Sequence, residues 1–310
     1  MTFVFMGAPD FSTIVLDHLE AAGRRPALVV TQPDRPCGRG QRTRPTPVAR
    51  WADARSIPVF KPTSCRDAGL RAALEQVAPD VIVTAAFGQI LPKALLEMPK
   101  VGCLNVHASL LPKYRGASPI QAVLLNGESE TGVTLMQMDE GLDTGPIVDS
   151  VVVALDDVID AGELHDRLAH AGGELLVDRM DAYVRGDVTL TPQDEARATV
   201  TRPIQKQDAE IDFTKSAIDV HNHIRAMHPW PGAFAFLEGE RFKIHRAAVW
   251  TGEPLDGRPG RLHVSDHRMA VVCGDGAIEL LKIQPPSRKA VACDECAHNY
   301  ADGILFTCKG

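Results

Sequence analysis

Long hydrophobic runs are missing from this chain. No apolar stretch in its 310 residues reaches the roughly 18 that a bilayer span needs, so no membrane partner is expected. A basic leader region with a cleavage site is missing too. The chain opens on the apolar run Thr2–Met6, and export through a signal peptide is not expected. The seven cysteines, at 37, 65, 103, 273, 293, 296 and 308, are odd in number and mostly scattered. That pattern fits reduced thiols in a cytoplasm rather than a disulfide framework. There are no internal repeats and no overall excess of base. The net charge is −7, and residues 205–310 hold 13 Lys and Arg against 14 Asp and Glu, so most of the acidic excess precedes them. An acidic total still leaves a nucleic-acid partner open, because the contact field is local.

What is present is globular. A hydrophobic content of 45% with 24% charged residues excludes a disordered chain and a coiled coil, and the length suits about two domains. The first half alternates short apolar runs with helical patterns. Strands are expected at 3–6, 27–31, 58–60, 80–85, 102–106 and 131–138. Helices are expected at 11–22, 67–77, 117–126 and 161–185. Runs that are apolar throughout match parallel strands covered on both faces, so an α/β domain with a mostly parallel sheet is expected. Ligands of such sheets gather beyond the carboxyl ends of the strands. Residues 187–210 lose periodicity and read as a linker. After a short helix at 217–227, brief strands between Gly and Pro (234–237, 242–249, 269–273, 278–283) suggest a small β-barrel.

Three stretches carry chemistry. The first strand ends in Gly7-Ala-Pro-Asp-Phe11, a tight turn into a helix whose exposed amides can hold an anion. It is not G-x-G-x-x-G, which gives little support to dinucleotide binding, and such a feature by itself is more often just a turn. Residues 33–48 carry Arg35, Arg39, Arg42 and Arg44 against one acid, Asp34. Such a loop suits phosphate and base-edge contacts, or is a solvated insertion. The third stretch is Asn105-Val-His-Ala-Ser-Leu-Leu-Pro-Lys-Tyr-Arg-Gly116. Asn105 and His107, two apart on a strand, share a face. An amide donor beside an imidazole can polarise a carbonyl and stabilise an oxyanion. Asp143, in the Gly-flanked loop Asp139–Pro146 after another strand, can orient His107 and help move protons.

Taken together, Gly7–Phe11, the Asn105-x-His107-x-Ser-Leu-Leu-Pro112 run with Tyr114-Arg-Gly116, and Gly141-Leu-Asp-Thr-Gly145 resemble the folate-dependent formyltransferase family. Pro33-Asp-Arg-Pro-x-Gly-Arg-Gly40 and Arg225-Ala-x-x-Pro-Trp-Pro-Gly-Ala233 are similar to its tRNA-directed branch. The resemblance covers residues 1 to about 285. It implies an α/β fold: a Rossmann-like, mostly parallel sheet in an N-terminal catalytic domain (1–188). A linker (189–206) and a smaller C-terminal, OB-like β-barrel that binds tRNA (207–310) would follow. The implied reaction moves a formyl group from 10-formyltetrahydrofolate to the α-amine of initiator methionyl-tRNA in translation initiation, in a cytoplasmic monomer that needs no metal.

Residue by residue, Asn105, His107 and Asp143 match the family's catalytic trio. Ser109, Leu110, Leu111 and Pro112 match its folate-binding turn, and Ile90 and Leu91 fall where it encloses the pteridine. Arg39 and Arg42 fall on the loop that reaches the tRNA acceptor stem, and Lys206 matches a lysine at the domain connection. The alternative is a folate-dependent N-formyltransferase for a small amine, such as an amino sugar. The tail departs from the family. In place of a Lys-Pro-Met-Ser-like close, it runs through Cys293-Asp-Glu-Cys296-Ala-His298, half of a zinc knuckle at most.

Overall fold

The computed structural model describes residues 1–37 and 42–308, with the backbone alone at residues 36, 37 and 42. The chain forms two compact units: residues 1–119, 130–154 and 165–201, and residues 120–129, 155–164 and 202–310. The first unit opens with β1 (Phe3–Gly7), α1 (Asp10–Ala21) and β2 (Leu28–Val30). Next come a small hairpin of β3 (Arg35–Cys37) and β4 (Arg42–Arg44), then α2 (Pro47–Asp53) and β5 (Val59–Phe60). Capping sets α2: Thr46 accepts from the Ala49 amide while Pro47 fills the first turn, where a missing N–H costs nothing. The next helix, α3 (Ala68–Val77), is capped by Asp67 in the same way. It leads into β6 (Val81–Ala85), α4 (Lys93–Leu96) and β7 (Gly102–His107).

The strands of the main sheet run in the order β10-β9-β7-β6-β1-β2-β5, where β9 is Glu130–Gln137 and β10 is Ile147–Ala154. Between β7 and β9 lie β8 (Arg115–Gly116) and α5 (Pro119–Leu125). The pairs from β5 through β7 are all parallel. Every residue of β1, β2 and β6 is buried, as helices on both faces require. The expectation of another parallel strand at 131–138 is corrected: β9 runs antiparallel to both β7 and β10. Six consecutive buried residues in β9 reflect its place inside the sheet, and burial does not encode direction. Edge strand β10 alternates half-buried and exposed residues from Asp149 to Ala154, but its Val151-Val152-Val153 run gave no alternation of residue type to read. The arginine-rich stretch, expected to lack secondary structure, contains the β3–β4 pairing of Arg35 with Arg44. After the long helix α6 (Ala161–Arg185) comes β11 (Val200–Thr201), which pairs with β8. Residues 191–201 thus belong to the first unit.

The second unit holds α7 (Ala217–Ala226), β12 (Phe234–Leu237) and β13 (Glu240–Val249). It continues with β14 (Leu262–Ser265), β15 (Arg268–Val272) and β16 (Ala277–Gln284). β17 (Val291–Ala292), α8 (Cys293–Cys296) and β18 (Phe306–Thr307) complete it. Its antiparallel sheet runs β14-β15-β16-β13-β12-β18, with β17 beside β16. Register shifts around Arg246 in β13 bend the sheet. The two edges then meet: the Leu262 amide donates to Ile304 and the Phe306 amide to Gly260, both at 2.8 Å. The barrel is closed by the atypical tail, whose Cys293, Cys296, Ala297 and Phe306 pack into the apolar core.

Candidate active site

Residues at the carboxyl end of β7 face those of β6. Thr84, buried near the end of β6, donates its hydroxyl to Asn105 Oδ1 at 2.8 Å. A carbonyl oxygen only accepts, so this bond fixes which way the Asn105 amide points. Its Nδ2 is left to face Asp143 Oδ1, 3.5 Å away. One turn of the pleat further on, His107 is buried. Its Nε2 lies 3.1 Å from the Tyr114 carbonyl, which can only accept, so Nε2 carries a proton there. Nδ1 faces Asp143 Oδ2 at 3.7 Å and is the ring atom free to exchange one. The three polar groups expected from sequence therefore meet at one corner.

Asp143 reaches that corner through an unusual backbone. Its φ is 53°, in the left-handed region that Asp tolerates better than most residues. The Gly116 amide donates to its Oδ2 at 2.8 Å. Gly116 has a φ of 101°, and a Cβ there would come within 2.5 Å of the Thr201 carbonyl oxygen. Gly145 is needed for space: a Cβ would collide with the carbonyl of Gln137. The far side of the loop is held by Gln193, whose Nε2 donates to the carbonyls of Asp143 and Gly145, each at 2.8 Å. Gln193 is itself gripped by the buried Arg115 at 2.8 and 3.0 Å. Arg115 also forms a bidentate pair with Glu195 at 2.7 and 2.9 Å. That pair holds the guanidinium above its ordinary value and the Glu195 carboxyl below its own.

The turn Ser109–Pro112 is mostly interior. Ser109 is fully buried, donates to the Lys113 carbonyl at 2.8 Å and accepts Thr134 Oγ1 through its carbonyl at 2.7 Å. The Leu111 amide donates to Thr134 Oγ1 at 3.0 Å. Leu111 and Pro112 are buried and Leu110 is half-buried. In the loop after β6, Leu91 packs into the core beside Phe87, whereas Ile90 is 83% exposed. Leu142, beside Asp143, is exposed as well. Ile90 and Leu142, with part of Leu110, supply apolar surface on loops that follow strands of the sheet. Lys206 is exposed in a short helical turn. Arg39 lies outside the described residues, and Arg42 is described in its backbone only.

Sequence reasoning singled out Tyr114-Arg-Gly116 only as a motif. Its contributions are a carbonyl for His107, an amide for Asp143, and a guanidinium for Gln193. Thr84 and Gln193 were missed: one is an ordinary strand residue, the other sat in a polar stretch read as linker. Among the described residues, no group of three or more His, Cys, Asp or Glu side chains comes together as a metal site. Cys293 is a core residue whose thiol is pushed up to about 12 by burial. No helix among the described residues is long and apolar enough to cross a membrane.

An α/β sheet with a polar corner at its carboxyl end, followed by a barrel, is the architecture of a group-transfer enzyme family. The formyl transferase family model matches residues 1–180, and the formyl transferase C-terminal domain matches residues 203–301. A methionyl-tRNA formyltransferase of Stutzerimonas stutzeri is 43% identical over 93% of this chain and 91% of its own length. That of Parvibaculum lavamentivorans is 42% identical over 97% of both chains. Among solved structures, the sugar 3N-formyl transferase WlaRD, determined with dTDP and 5-N-formyl-THF, superposes with a TM-score of 0.70. It is 19% identical, and the match covers 93% of this chain and 99% of that one. The chain belongs to the formyl transferase family, and its relatives at 42–43% identity place it among the methionyl-tRNA formyltransferases.

Proposed function

We propose that this enzyme transfers the formyl group of 10-formyltetrahydrofolate to the α-amine of methionyl-initiator tRNA, through the corner formed by Asn105, His107 and Asp143. A free amine is a competent nucleophile, so no covalent enzyme intermediate is required. The folate co-substrate supplies an activated formyl carbonyl. Asn105 Nδ2, oriented by Thr84, donates to the oxyanion as the carbonyl turns tetrahedral, and His107 assists from the same face. One such donor is typically worth ~3 kcal/mol, roughly 100-fold or more in rate. Asp143 holds His107 through Nδ1 and takes the proton that the amine nitrogen loses once it has attacked, directly or through water. Collapse of the tetrahedral intermediate then breaks the bond from the formyl carbon to N10, and that proton goes to N10 of the departing tetrahydrofolate.

Ile90, Leu110 and the Ser109–Pro112 turn, with Leu91 and Leu111 behind them, are the proposed folate wall. Arg39, Arg42 and Lys206 are the proposed tRNA contacts. The chain is proposed to work as a cytoplasmic monomer. Residues 1–188 would carry catalysis, 189–206 the connection, and 207–310 tRNA binding. The observation that carries this reading is the convergence of Asn105 and His107 on Asp143 at the carboxyl end of the sheet. The test is formyl incorporation from 10-formyltetrahydrofolate into methionyl-initiator tRNA beside free methionine and a 3-amino sugar nucleotide. Turnover confined to the tRNA is expected. Preferential formylation of the amino sugar would replace the tRNA assignment with the small-amine one.

A further inference from the structure

We infer that Gln193 is a positioning residue for the reaction, and that residues 191–201 act as a clamp on the active-site corner rather than as a passive connection. The inference rests on Asp143 and His107 belonging to the reacting site. Neither loop at that corner is held by the main sheet alone. Asp143 lies in a left-handed backbone conformation, which persists only when its surroundings impose it. Within 191–201, Gln193 ties the Asp143 and Gly145 carbonyls together from one side-chain amide, adding to the Gly116 amide on the Asp143 carboxylate. Both amide protons of Gln193 are thereby used, and its Oε1 is taken by Arg115, so the side chain has a single orientation available.

The same segment holds the opposing loop. The Arg115 amide donates to the Thr199 carbonyl at 2.9 Å and the Tyr114 amide to Thr199 Oγ1 at 2.8 Å. Thr201 Oγ1 donates to the Arg115 carbonyl at 3.0 Å and accepts the Ser118 amide at 3.2 Å. Those bonds place the Tyr114 carbonyl against His107 and the Gly116 amide against Asp143. One stretch of chain therefore helps set the distance between His107 and Asp143. Arg115 locks Gln193, and Glu195 in turn holds Arg115. The Arg115–Glu195 pair anchors one end, and the Ile147–Thr191 bridge the other.

The test uses the full chain and two variants. Gln193→Met keeps the length and removes both donors; Gln193→Asn keeps the amide on a shorter stem. Steady-state formylation should show kcat for Gln193→Met reduced on the order of 10- to 100-fold, the scale of a misplaced reacting group. KM for folate and for tRNA should change little, and Gln193→Asn should recover part of the loss. A double-mutant cycle with Asp143→Ala separates positioning from general folding. Gln193→Met should cost nothing further once Asp143 is gone, because the two act as one unit. Thermal midpoints report whether the variants are folded. If Gln193→Met fails to fold, the Gln193→Asn cycle carries the same comparison. Wild-type kcat in Gln193→Met, or a loss that multiplies in full on Asp143→Ala, would overturn the inference. Undiminished turnover in Asp143→Ala alone would overturn the reading of the site beneath it.

Discussion

Asp143, on a loop, and Arg44, in the β3–β4 hairpin, belong to the same unit and are held in opposite ways. Asp143 receives the Gly116 amide, faces Asn105 and His107, and has its carbonyl pinned by Gln193. Arg44 is paired with Arg35 through strand backbone, and both side chains are exposed. The acid of that stretch, Asp34, is engaged by Lys61 at 2.7 Å. The difference separates two demands. Chemistry needs groups held to a fraction of an ångström before substrate arrives, whereas a phosphate backbone is met by exposed, adaptable charge. A substitution at the corner should change kcat, and one on the hairpin should change tRNA binding and its salt dependence.

The largest expected effects are at the corner. Asn105→Ala and His107→Ala should each lower formyl transfer by about 100-fold or more, with folate binding and circular dichroism retained. Either variant turning over at near wild-type rate would erase the distinction between the two regions. A smaller effect, of another kind, belongs to the hairpin. Arg42→Ala and Arg44→Ala should weaken tRNA use at moderate salt and leave folate affinity alone. The slope of log affinity against log salt should flatten by roughly 1 for each phosphate that is no longer neutralised. An unchanged salt slope would make the hairpin a bystander.

Thr84→Val sharpens the account of the corner itself. It preserves shape and removes the donor that orients the Asn105 amide. Loss of a hydrogen bond worth ~1 kcal/mol corresponds to a roughly fivefold fall in kcat. No fall would mean the amide is oriented by something else. The smallest effect lies in the second unit. The Arg202 guanidinium and the Gln205 amide hold the Asp208 carboxyl down at about 2 from 3.8. A carboxyl lowered on folding adds stability above its unfolded value and loses it as pH falls toward the folded one. The thermal-midpoint gap between wild type and Asp208→Asn should therefore hold near neutrality and close between about pH 4 and pH 2. With Arg202 largely solvated, the gap at neutral pH should stay under about 1 kcal/mol. A gap that does not vary with pH would point to a role other than charge.

The parallel half of the sheet was readable because β1 and β6 are almost continuously apolar and the end of β7 carries chemically marked residues. Asn105, His107 and Asp143 were legible for the same reason: polar groups at strand ends have few structural excuses. Direction was not legible, since β9 is as buried as a parallel strand would be. Neither was the clamp. β11 has two residues, too few for any period, and Gln193 differs in no sequence feature from a solvated glutamine. The tail beyond Pro285 departs from the family pattern in sequence, and part of its contribution is backbone pairing at 303–306, which carries no side-chain signature. The Cys-x-x-Cys spacing there was drawn by packing: both thiols are core residues.

The central claim is that the charge of Asp143, held where it is, drives the transfer. Asp143→Asn tests it most directly. Asn tolerates the same left-handed backbone and can still accept the Gly116 amide, so the charge, its proton-accepting capacity and the acceptor facing Asn105 Nδ2 are lost while the loop is kept. Single-turnover formylation of methionyl-initiator tRNA, measured beside folate and tRNA binding, should show a rate lowered by about 100-fold or more with both affinities retained. A single-turnover rate for Asp143→Asn indistinguishable from wild type would contradict the account.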